Sequence, residues 1–341
     1  MKGAALSGFA GMMMTEGSPE KIRCGREALG WPIRKWLTDH FGDRVAFDEP
    51  MSRHTSFRVG GSADAFLSLR GIRELTMIAR FCKEKGIPYL VIGDGTNLLV
   101  TDAGIRGVVM TLTAGFREIK KIKDEGPEVT IQGMAGARAR MLCRFAVREG
   151  FAGLNFAVGI PGTVGGALMM NAGTPRGCMA DVVECVEIFH PEGRIEKYPR
   201  HDLHFTYRKM TWGLEPIADK ENSIILSGFF RLRRSDARLL KTEADAILKE
   251  RRERQPWRLP SAGCFFKNPT GDISAGNLID RAGLKGKSIG GAQVSKRHAN
   301  FIVNTGKATA SDILVLAEEI EETVLKVFGV KLEPEVKIIG S

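Results

Sequence analysis

The stretch Gly159-Ile-Pro-Gly-Thr-Val-Gly-Gly-Ala-Leu-Met-Met-Asn-Ala-Gly173 organises the chain. Its five glycines fall where a backbone turns tightly or approaches a ligand without a Cβ in the way. Pro161 fixes φ beside Gly162, which predicts a rigid turn, and the apolar residues 167–170 anchor the loop in a core. Such a loop presents several N–H groups at once and suits a phosphate or the edge of a flavin ring. The alternative is a packing turn that binds nothing.

A second glycine loop, Gly93-Asp-Gly-Thr-Asn97, directly follows the apolar run Tyr89-Leu-Val-Ile92. Before that run, residues 63–69 predict a strand and residues 72–85 predict a helix. The inward face of this helix is predicted to carry Leu75, Ile78, Ala79 and Cys82. The order of strand, helix, strand and glycine loop predicts an α/β arrangement. It does not match a Rossmann motif, because Leu98 stands where the third glycine belongs and no helical periodicity follows.

Three helices are predicted after the organising loop. The first covers residues 235–254 and stops before Pro256, and its start marks a domain boundary because the chain beyond it forms a separate α/β pattern. Ser274 caps the second helix, which Gly283 ends, and Ser311 caps the third. Apolar periodicity gives the third helix an inward face of Ile313, Leu316, Ala317, Ile320, Val324 and Val327.

Composition limits the class of partner. With 341 residues, 43% hydrophobic and 26% charged, the chain is of ordinary globular composition and has room for two or three domains. A formal net charge of +10 favours anionic partners, either nucleic acid or a phosphorylated small molecule. Three Tyr and four Trp without an arginine-aromatic tract argue against a single-strand binder, although a basic nucleic-acid binder stays as an alternative.

The cysteine pattern indicates a reducing compartment. None of the six cysteines forms a C-x-x-C pair and no H-E-x-x-H is present, so no metal site is predicted. Without a secretory pattern we expect free thiols and a cytoplasmic protein. No run reaches the roughly 18 apolar residues of a membrane span. Residues 1–25 are predicted to be a disordered extension or an over-early start, and an irregular helix is predicted over residues 20–41.

Seven segments together resemble the UDP-N-acetylenolpyruvoylglucosamine reductase family, the MurB flavoenzymes. Singly, the glycine loops occur across a wider FAD-binding superfamily, whereas the set in this order is specific. They run from about residue 30 to the C-terminus and comprise residues 54–61, 93–98 and 159–173, Tyr207-Arg208, Ser261-Ala-Gly-Cys-Phe-Phe-Lys-Asn-Pro269, Gly290-Gly-Ala292 and Leu332-Glu-Pro-Glu-Val336.

The resemblance implies an α+β fold with an FAD-binding region in two parts and a C-terminal α/β substrate domain. Its parts are residues 26–105 together with a C-terminal strand at 336–341, then residues 106–235, then residues 236–335. It also implies a reaction of peptidoglycan precursor synthesis. NADPH reduces non-covalent FAD, and the flavin passes hydride to the enolpyruvyl group of a UDP-sugar, giving UDP-N-acetylmuramate. A monomer without nucleic-acid or membrane partners is expected.

Three catalytic residues follow from the resemblance. Hydride addition to an enolpyruvyl ether leaves an enolate, whose charge Arg208 would stabilise, and Glu335 matches the partner carboxyl. Cys264 occupies the position of the proton donor, where the family usually has serine. Since an unperturbed thiol has a pKa of about 8.5, we interpret Cys264 as a functional substitution by a stronger acid, and expect the rate to fall at alkaline pH.

The resemblance also implies binding residues. The predicted cofactor-binding set is Arg58, Gly93, Gly95, Thr96, Asn97, Gly159, Ile160, Pro161, Gly162, Gly165, Gly166 and Asn171. The predicted substrate-binding set is Tyr207, Arg254, Lys267, Asn268, His298 and Asn300. No tyrosine follows Arg208, which indicates the shorter subtype without a tyrosine-bearing loop over the substrate.

One alternative lies within the same superfamily. An FAD oxidase of small hydroxylated substrates needs neither the Cys264 motif nor Glu333-Pro-Glu335. Some such oxidases attach FAD to a histidine, and His54 would be the candidate here.

Overall fold

Local sequence signals set most helix bounds in the computed structural model, which describes residues 29–213, 222–271 and 273–340. In those ranges the α-helices are α1 (Trp31–Phe41), α2 (Ile72–Lys85), α3 (Ala139–Arg148), α4 (Val164–Met169), α5 (Ala237–Arg254), α6 (Ala275–Arg281) and α7 (Ala310–Phe328). The predicted inward face of α2 is confirmed, since Leu75, Ile78, Ala79 and Cys82 are all buried. Gly86 ends α2 with φ +64°, a left-handed conformation that glycine adopts without strain.

The cap predicted for the last helix is wrong. Ser274 does cap α6, but α7 is capped by Thr309, whose hydroxyl accepts from the Asp312 N–H while the Asp312 carboxylate accepts from the Thr309 N–H. Ser311 therefore lies within the first turn. Val327 is also misassigned to the inward face. It is 56% exposed, because the last turn of α7 extends past the core contact made by Val324.

The strands of the described residues form a mixed sheet, a larger antiparallel sheet and several sheets of two or three strands. They are β1 (Val45–Pro50), β2 (Ser62–Ser68), β3 (Tyr89–Ile92), β4 (Leu98–Val100), β5 (Ile105–Thr111), β6 (Ile119–Glu125), β7 (Glu128–Met134), β8 (Phe151–Ala152), β9 (Gly173–Thr174), β10 (Gly177–Cys178), β11 (Val183–Phe189), β12 (Ile195–Pro199), β13 (Leu203–Thr206), β14 (Lys209–Trp212), β15 (Ile224–Arg234), β16 (Ser288–Ile289), β17 (Ala292–Val294), β18 (Ile302–Asn304) and β19 (Lys337–Ile339).

The mixed sheet and the larger antiparallel sheet differ in strand order and direction. The first has the order β1–β2–β5–β3, in which β5 pairs in parallel with β2 and β3 while β1 is antiparallel to β2. The second has the order β12–β11–β15–β7–β6, with β8 also on β15, and all its pairs are antiparallel. One apolar core spans both sheets and includes α2, α3 and β15. The α+β prediction is confirmed.

The C-terminal region has a core of its own. A three-stranded sheet, β16–β17–β18, packs with α6 and α7. Phe57, Val59 and Leu99 of the N-terminal half enter the same core. The chain then returns to the first half, because β19 pairs in parallel with β4 immediately after the second glycine loop. This return brings the C-terminal segment to the base of that loop.

Three further expectations concern the N-terminal residues, membrane-spanning helices and metal sites. The predicted extension over residues 1–25 lies outside the described residues, as does the first part of the helix predicted over residues 20–41. Over the ranges that the structure covers, no helix is long and apolar enough to cross a membrane. Within the same ranges no group of His, Cys, Asp or Glu side chains could hold a metal ion.

Asp102 fastens the C-terminal region to the first half. Its carboxylate accepts hydrogen bonds from the N–H groups of Ala310 and Ser311, both at 2.9 Å, and from the Ser311 hydroxyl at 2.7 Å. Burial opposes ionisation of this carboxyl, but the hydrogen bonds outweigh it and lower its pKa. A negative charge at the first turn of α7 also interacts favourably with the helix dipole.

We predict that Asp102→Ala lowers the free energy of unfolding by about 1–2 kcal/mol, because it leaves two N–H groups of α7 without their acceptor. Urea unfolding of the flavin-loaded protein, followed by circular dichroism, measures the change. Ser311→Ala removes only the hydroxyl donor and should have a smaller effect. An Asp102→Ala variant as stable as wild type would show that this contact does not hold the two regions together.

Candidate active site

The two glycine loops face one cleft. Its volume is about 1480 Å³, and residues 93–97 and 159–163 line it together with residues 259–264 of the C-terminal region. All three predicted catalytic residues line this cleft. Of the predicted binding residues, it is lined by Gly93, Gly95, Thr96, Asn97, Gly159, Ile160, Pro161, Gly162, Gly165, Gly166 and Asn268. The assignment of each to FAD or substrate stays a prediction.

The loop after β3 approaches other backbone very closely. A Cβ built on Gly95 would lie 2.0 Å from the carbonyl oxygen of His54. The φ of Gly95 is +61°, so both the close approach and the backbone conformation favour glycine. In the other loop, a Cβ on Gly162 would lie 2.7 Å from Oγ1 of Thr96. The two loops therefore touch, and side chains on either would separate them.

The backbone donors of these loops suit a phosphate-bearing cofactor. Among the described residues, the N–H groups of Gly95, Thr96 and Gly162 find no protein acceptor. Unpaired N–H groups in the wall of a cleft can donate to phosphate oxygens. Beyond Gly162 the chain turns into α4, whose cap is Thr163, with the side-chain oxygen accepting from the Gly166 N–H. The residues present thus match a dinucleotide such as FAD.

Two predicted cofactor residues lie away from the cleft wall. Arg58 is exposed on the surface. Asn171 is buried and uses its amide internally, donating to the carbonyl oxygen of Thr206 at 3.1 Å and accepting from the Ala180 N–H at 3.0 Å. Asn171 thereby fixes the strand that precedes Arg208.

His54 is poorly placed for covalent attachment of a flavin. Its ring stacks on Phe66 with centroids 3.8 Å apart, and its Nε2 lies 3.0 Å from Oε1 of Glu49. The side chain is not part of the cleft wall. These contacts argue against the alternative in which His54 carries the cofactor.

Arg208 and Glu335 form an ion pair in the cleft. Arg208 occupies the turn between β13 and β14 with φ +60°, and its Nε lies 2.8 Å from Oε1 of Glu335. The Nε–H does not point along that contact, so the interaction is electrostatic rather than an aligned hydrogen bond. Both side chains are largely buried. The Arg208 guanidinium also lies over the Tyr207 ring, 4.8 Å from its centroid.

Backbone contacts fix the position of Glu335. Its N–H donates to the carbonyl oxygen of Phe265 at 2.7 Å, which places it beside Cys264. Its own carbonyl oxygen accepts from the side-chain amide of Asn97 at 3.1 Å. The predicted substrate residue Asn300 supports the same segment, since its amide bonds both the N–H and the carbonyl oxygen of Phe266.

Burial determines the acidity of the site. It raises the pKa of the Cys264 thiol to about 12, with Glu335 adding to the effect and Arg208 and Arg251 opposing it. Burial also raises the pKa of Glu335, against the influence of Arg208. The alkaline fall in rate, expected from the pKa of a solvated thiol, therefore moves up to the region of pH 12. The thiol stays protonated at neutral pH.

The remaining predicted substrate residues lie outside the cleft wall. Lys267 pairs with Glu333 at 3.1 Å, and Tyr207 is half exposed. His298 packs against Phe301, and burial lowers its pKa. Arg254 points to solvent and pairs with Glu250 at 3.1 Å.

Sequence reasoning missed Arg251, which does line the cleft. Its neighbours on the inward stripe of α5 are Ala244, Ile247 and Leu248. Arg251 follows Ala244 by seven residues and Leu248 by three, which is the spacing of one helix face. That periodicity was the available signal.

The chain matches two family models. The model described as "FAD binding domain" matches residues 63–198, and the one described as "UDP-N-acetylenolpyruvoylglucosamine reductase, C-terminal domain" matches residues 255–339. The first contains both glycine loops and the second contains Cys264 and Glu335.

Similar proteins cover nearly the whole chain. UDP-N-acetylenolpyruvoylglucosamine reductase of Desulfosudis oleivorans is 46% identical over 308 residues, which are 90% of this chain and 98% of that protein. The enzyme of the same name from Heliobacterium modesticaldum is 43% identical and covers 89% of this chain and 93% of its own.

A solved structure agrees with these matches. The crystal structure of UDP-N-acetylenolpyruvylglucosamine reductase (MurB) from Thermus caldophilus superposes with a TM-score of 0.70 at 35% identity, covering 87% of this chain and 98% of that one. The chain therefore belongs to the UDP-N-acetylenolpyruvoylglucosamine reductase family.

Proposed function

We propose that this chain reduces the enolpyruvyl ether of UDP-N-acetylglucosamine to the lactyl ether of UDP-N-acetylmuramate, a step of peptidoglycan precursor synthesis. NADPH is the reductant and non-covalent FAD is the cofactor. The observation that carries the proposal is that Arg208, Cys264 and Glu335 line the same cleft as both glycine loops. The activity is that of an oxidoreductase, UDP-N-acetylmuramate dehydrogenase.

The glycine loops would hold the cofactor through backbone donors. The N–H groups of Gly95, Thr96 and Gly162 are available to its diphosphate. Bound FAD supplies the hydride that the protein itself cannot provide. The contribution of the chain is to place the substrate beside it and to stabilise the charge that develops.

Arg208 stabilises that charge. Hydride addition at the β-carbon of the enolpyruvyl group leaves an enolate on the α-carbon and the carboxylate, and a guanidinium preorganised beside it lowers the barrier. Glu335 holds Arg208 in place through the 2.8 Å contact, so that little reorganisation is needed during the reaction. Glu335 is itself held at its backbone on both sides.

Cys264 completes the reaction as the proton donor. Its S–H bond breaks, a C–H bond forms at the α-carbon, and the thiolate left behind takes a proton from solvent. A pKa of about 12 keeps the thiol protonated before the step and favours its reprotonation afterwards. The guanidiniums of Arg208 and Arg251 stabilise the transient thiolate.

We also propose that the protein is a cytoplasmic monomer. Free thiols at Cys82, Cys143, Cys178, Cys185 and Cys264 agree with that compartment. Neither nucleic acid nor a membrane is expected as a partner.

We predict that the protein purifies yellow, that acid precipitation releases all of the colour, and that NADPH oxidation depends on the UDP-sugar. The two glycine loops supply the close backbone approaches that bound FAD needs. Absorbance spectra and a coupled assay of UDP-N-acetylmuramate measure the three results. A colourless protein that does not bind added FAD would contradict the function, and colour retained in the acid pellet would contradict non-covalent binding.

Variants of Cys264 test the proton donor. In rapid-mixing experiments Cys264→Ala should slow flavin reoxidation by the UDP-sugar roughly 100-fold and leave flavin reduction by NADPH unchanged. Cys264→Ser should retain most activity, because a hydroxyl can donate as well. Cys178→Ala, a cysteine outside the cleft, is the matched control. An alanine variant at the wild-type rate would make Cys264 a packing residue.

The pH profile gives an independent readout. A donor must be protonated, so activity due to Cys264 is lost only as pH rises through its raised pKa of about 12. Between about pH 7 and pH 10 the wild-type rate of reoxidation should therefore show no limb that Cys264→Ser removes. A limb near pH 8.5 that disappears in the serine variant would show that the thiol has an ordinary pKa.

A further inference from the structure

Arg251 is a partly buried cation in the cleft wall, and it has no carboxylate partner among the described residues. It belongs to the last turn of α5, and its Nε is buried with no hydrogen-bond acceptor. Among the described residues no carboxylate pairs with it. The nearby Glu250 is engaged by Arg176 at 3.0 Å and by Arg254 at 3.1 Å. Partial burial of an unpaired charge is unfavourable, and a guanidinium that faces a cleft is suited to bind an anion from outside the chain.

The organising loop is shaped around this side chain. A Cβ on Gly159 would lie 3.0 Å from Cδ and 3.1 Å from Nε of Arg251. Gly159 also has φ +80°, which disfavours a side chain in any case. The arginine stem therefore lies against the start of the loop, and its head group is part of the cleft wall.

The charge of Arg251 acts on the reaction centre. Together with Arg208 it opposes the rise in the pKa of Cys264. Arg208 already has partners within the chain, because its Nε contacts Glu335 and its Nη1 donates to the carbonyl oxygen of Gly173 at 3.4 Å. Among the described residues, the side chain of Arg251 has no such partner, although its charge also acts on Cys264.

We propose that Arg251 binds the carboxylate of the enolpyruvyl group, an assignment that rests on the proposed function. The carbon that Cys264 protonates carries this carboxylate, so the anion lies one bond from the atom that the thiol must reach. A planar guanidinium can hold a carboxylate through two parallel hydrogen bonds. Arg251 would fix the α-carbon before Cys264, while Arg208 stabilises the charge formed on reduction.

Two nucleotide ligands separate a carboxylate site from a diphosphate site. UDP-N-acetylmuramate and UDP-N-acetylglucosamine share the diphosphate and differ by the lactyl ether that carries the carboxylate. Titration of the FAD-loaded protein with each, followed by the flavin absorbance, gives two dissociation constants and their ratio. Wild type should bind UDP-N-acetylmuramate more tightly.

Arg251→Gln removes a charge-assisted contact to the carboxylate, so UDP-N-acetylmuramate alone should bind more weakly. The dissociation constant of UDP-N-acetylglucosamine divided by that of UDP-N-acetylmuramate should therefore fall roughly 10-fold or more. Arg251→Lys keeps the positive charge but loses the planar guanidinium, so its ratio should lie between those of wild type and Arg251→Gln. This variant also provides a readout if the glutamine variant folds poorly. Arg252→Gln, an exposed arginine on the same turn, should match wild type.

Three results would overturn the assignment while leaving the proposed function intact. They are equal weakening of both ligands in Arg251→Gln, which indicates the diphosphate, no weakening of either, and a wild-type protein that binds both ligands equally. If neither ligand perturbs the flavin of wild type, the proposed function fails, and the assignment fails with it.

Discussion

The ion pair between Arg208 and Glu335 connects parts of the chain that are far apart in sequence. Arg208 comes from a hairpin turn beside the antiparallel sheet, and Glu335 comes from the segment that leads into β19. The 2.8 Å contact joins this hairpin to a segment that lies against Phe265 and continues into the strand paired with β4. Asn97 of the second glycine loop bonds to the same segment. The cofactor loop and the reaction centre thus share one scaffold.

The same burial that strengthens this pair changes the chemistry of its neighbours. In a site of low dielectric a cation and a carboxylate interact more strongly than in water. Burial also raises the pKa of Cys264 and Glu335 and leaves the Nε of Arg251 without a hydrogen-bond partner. Burial keeps the thiol protonated at rest, and the charges of Arg208 and Arg251 offset part of the resulting cost of forming the thiolate. The arrangement suits a proton donor that must be reloaded after each turnover.

Local patterns in the sequence predicted what local forces determine. The inward face of α2, the strand at β3 and the glycine loops follow from periodicity and from turns that only glycine adopts easily. Both Thr309 and Ser311 are residue types that cap helices well. The capping box between Thr309 and Asp312 makes Thr309 the cap of α7. The pKa of Cys264 and the inward position of Arg251 depend on tertiary burial, which a single sequence shows only indirectly.

The central claim is that Arg208, oriented by Glu335, stabilises charge on the substrate and does not serve the flavin. The most direct measurement is rapid mixing of Arg208→Lys, with the two half-reactions followed separately by flavin absorbance. Lysine keeps the charge but loses the planar fork, so reoxidation by the UDP-sugar should slow roughly 100-fold while reduction by NADPH stays near the wild-type rate. Equal slowing of both half-reactions, or unchanged reoxidation, would contradict the account.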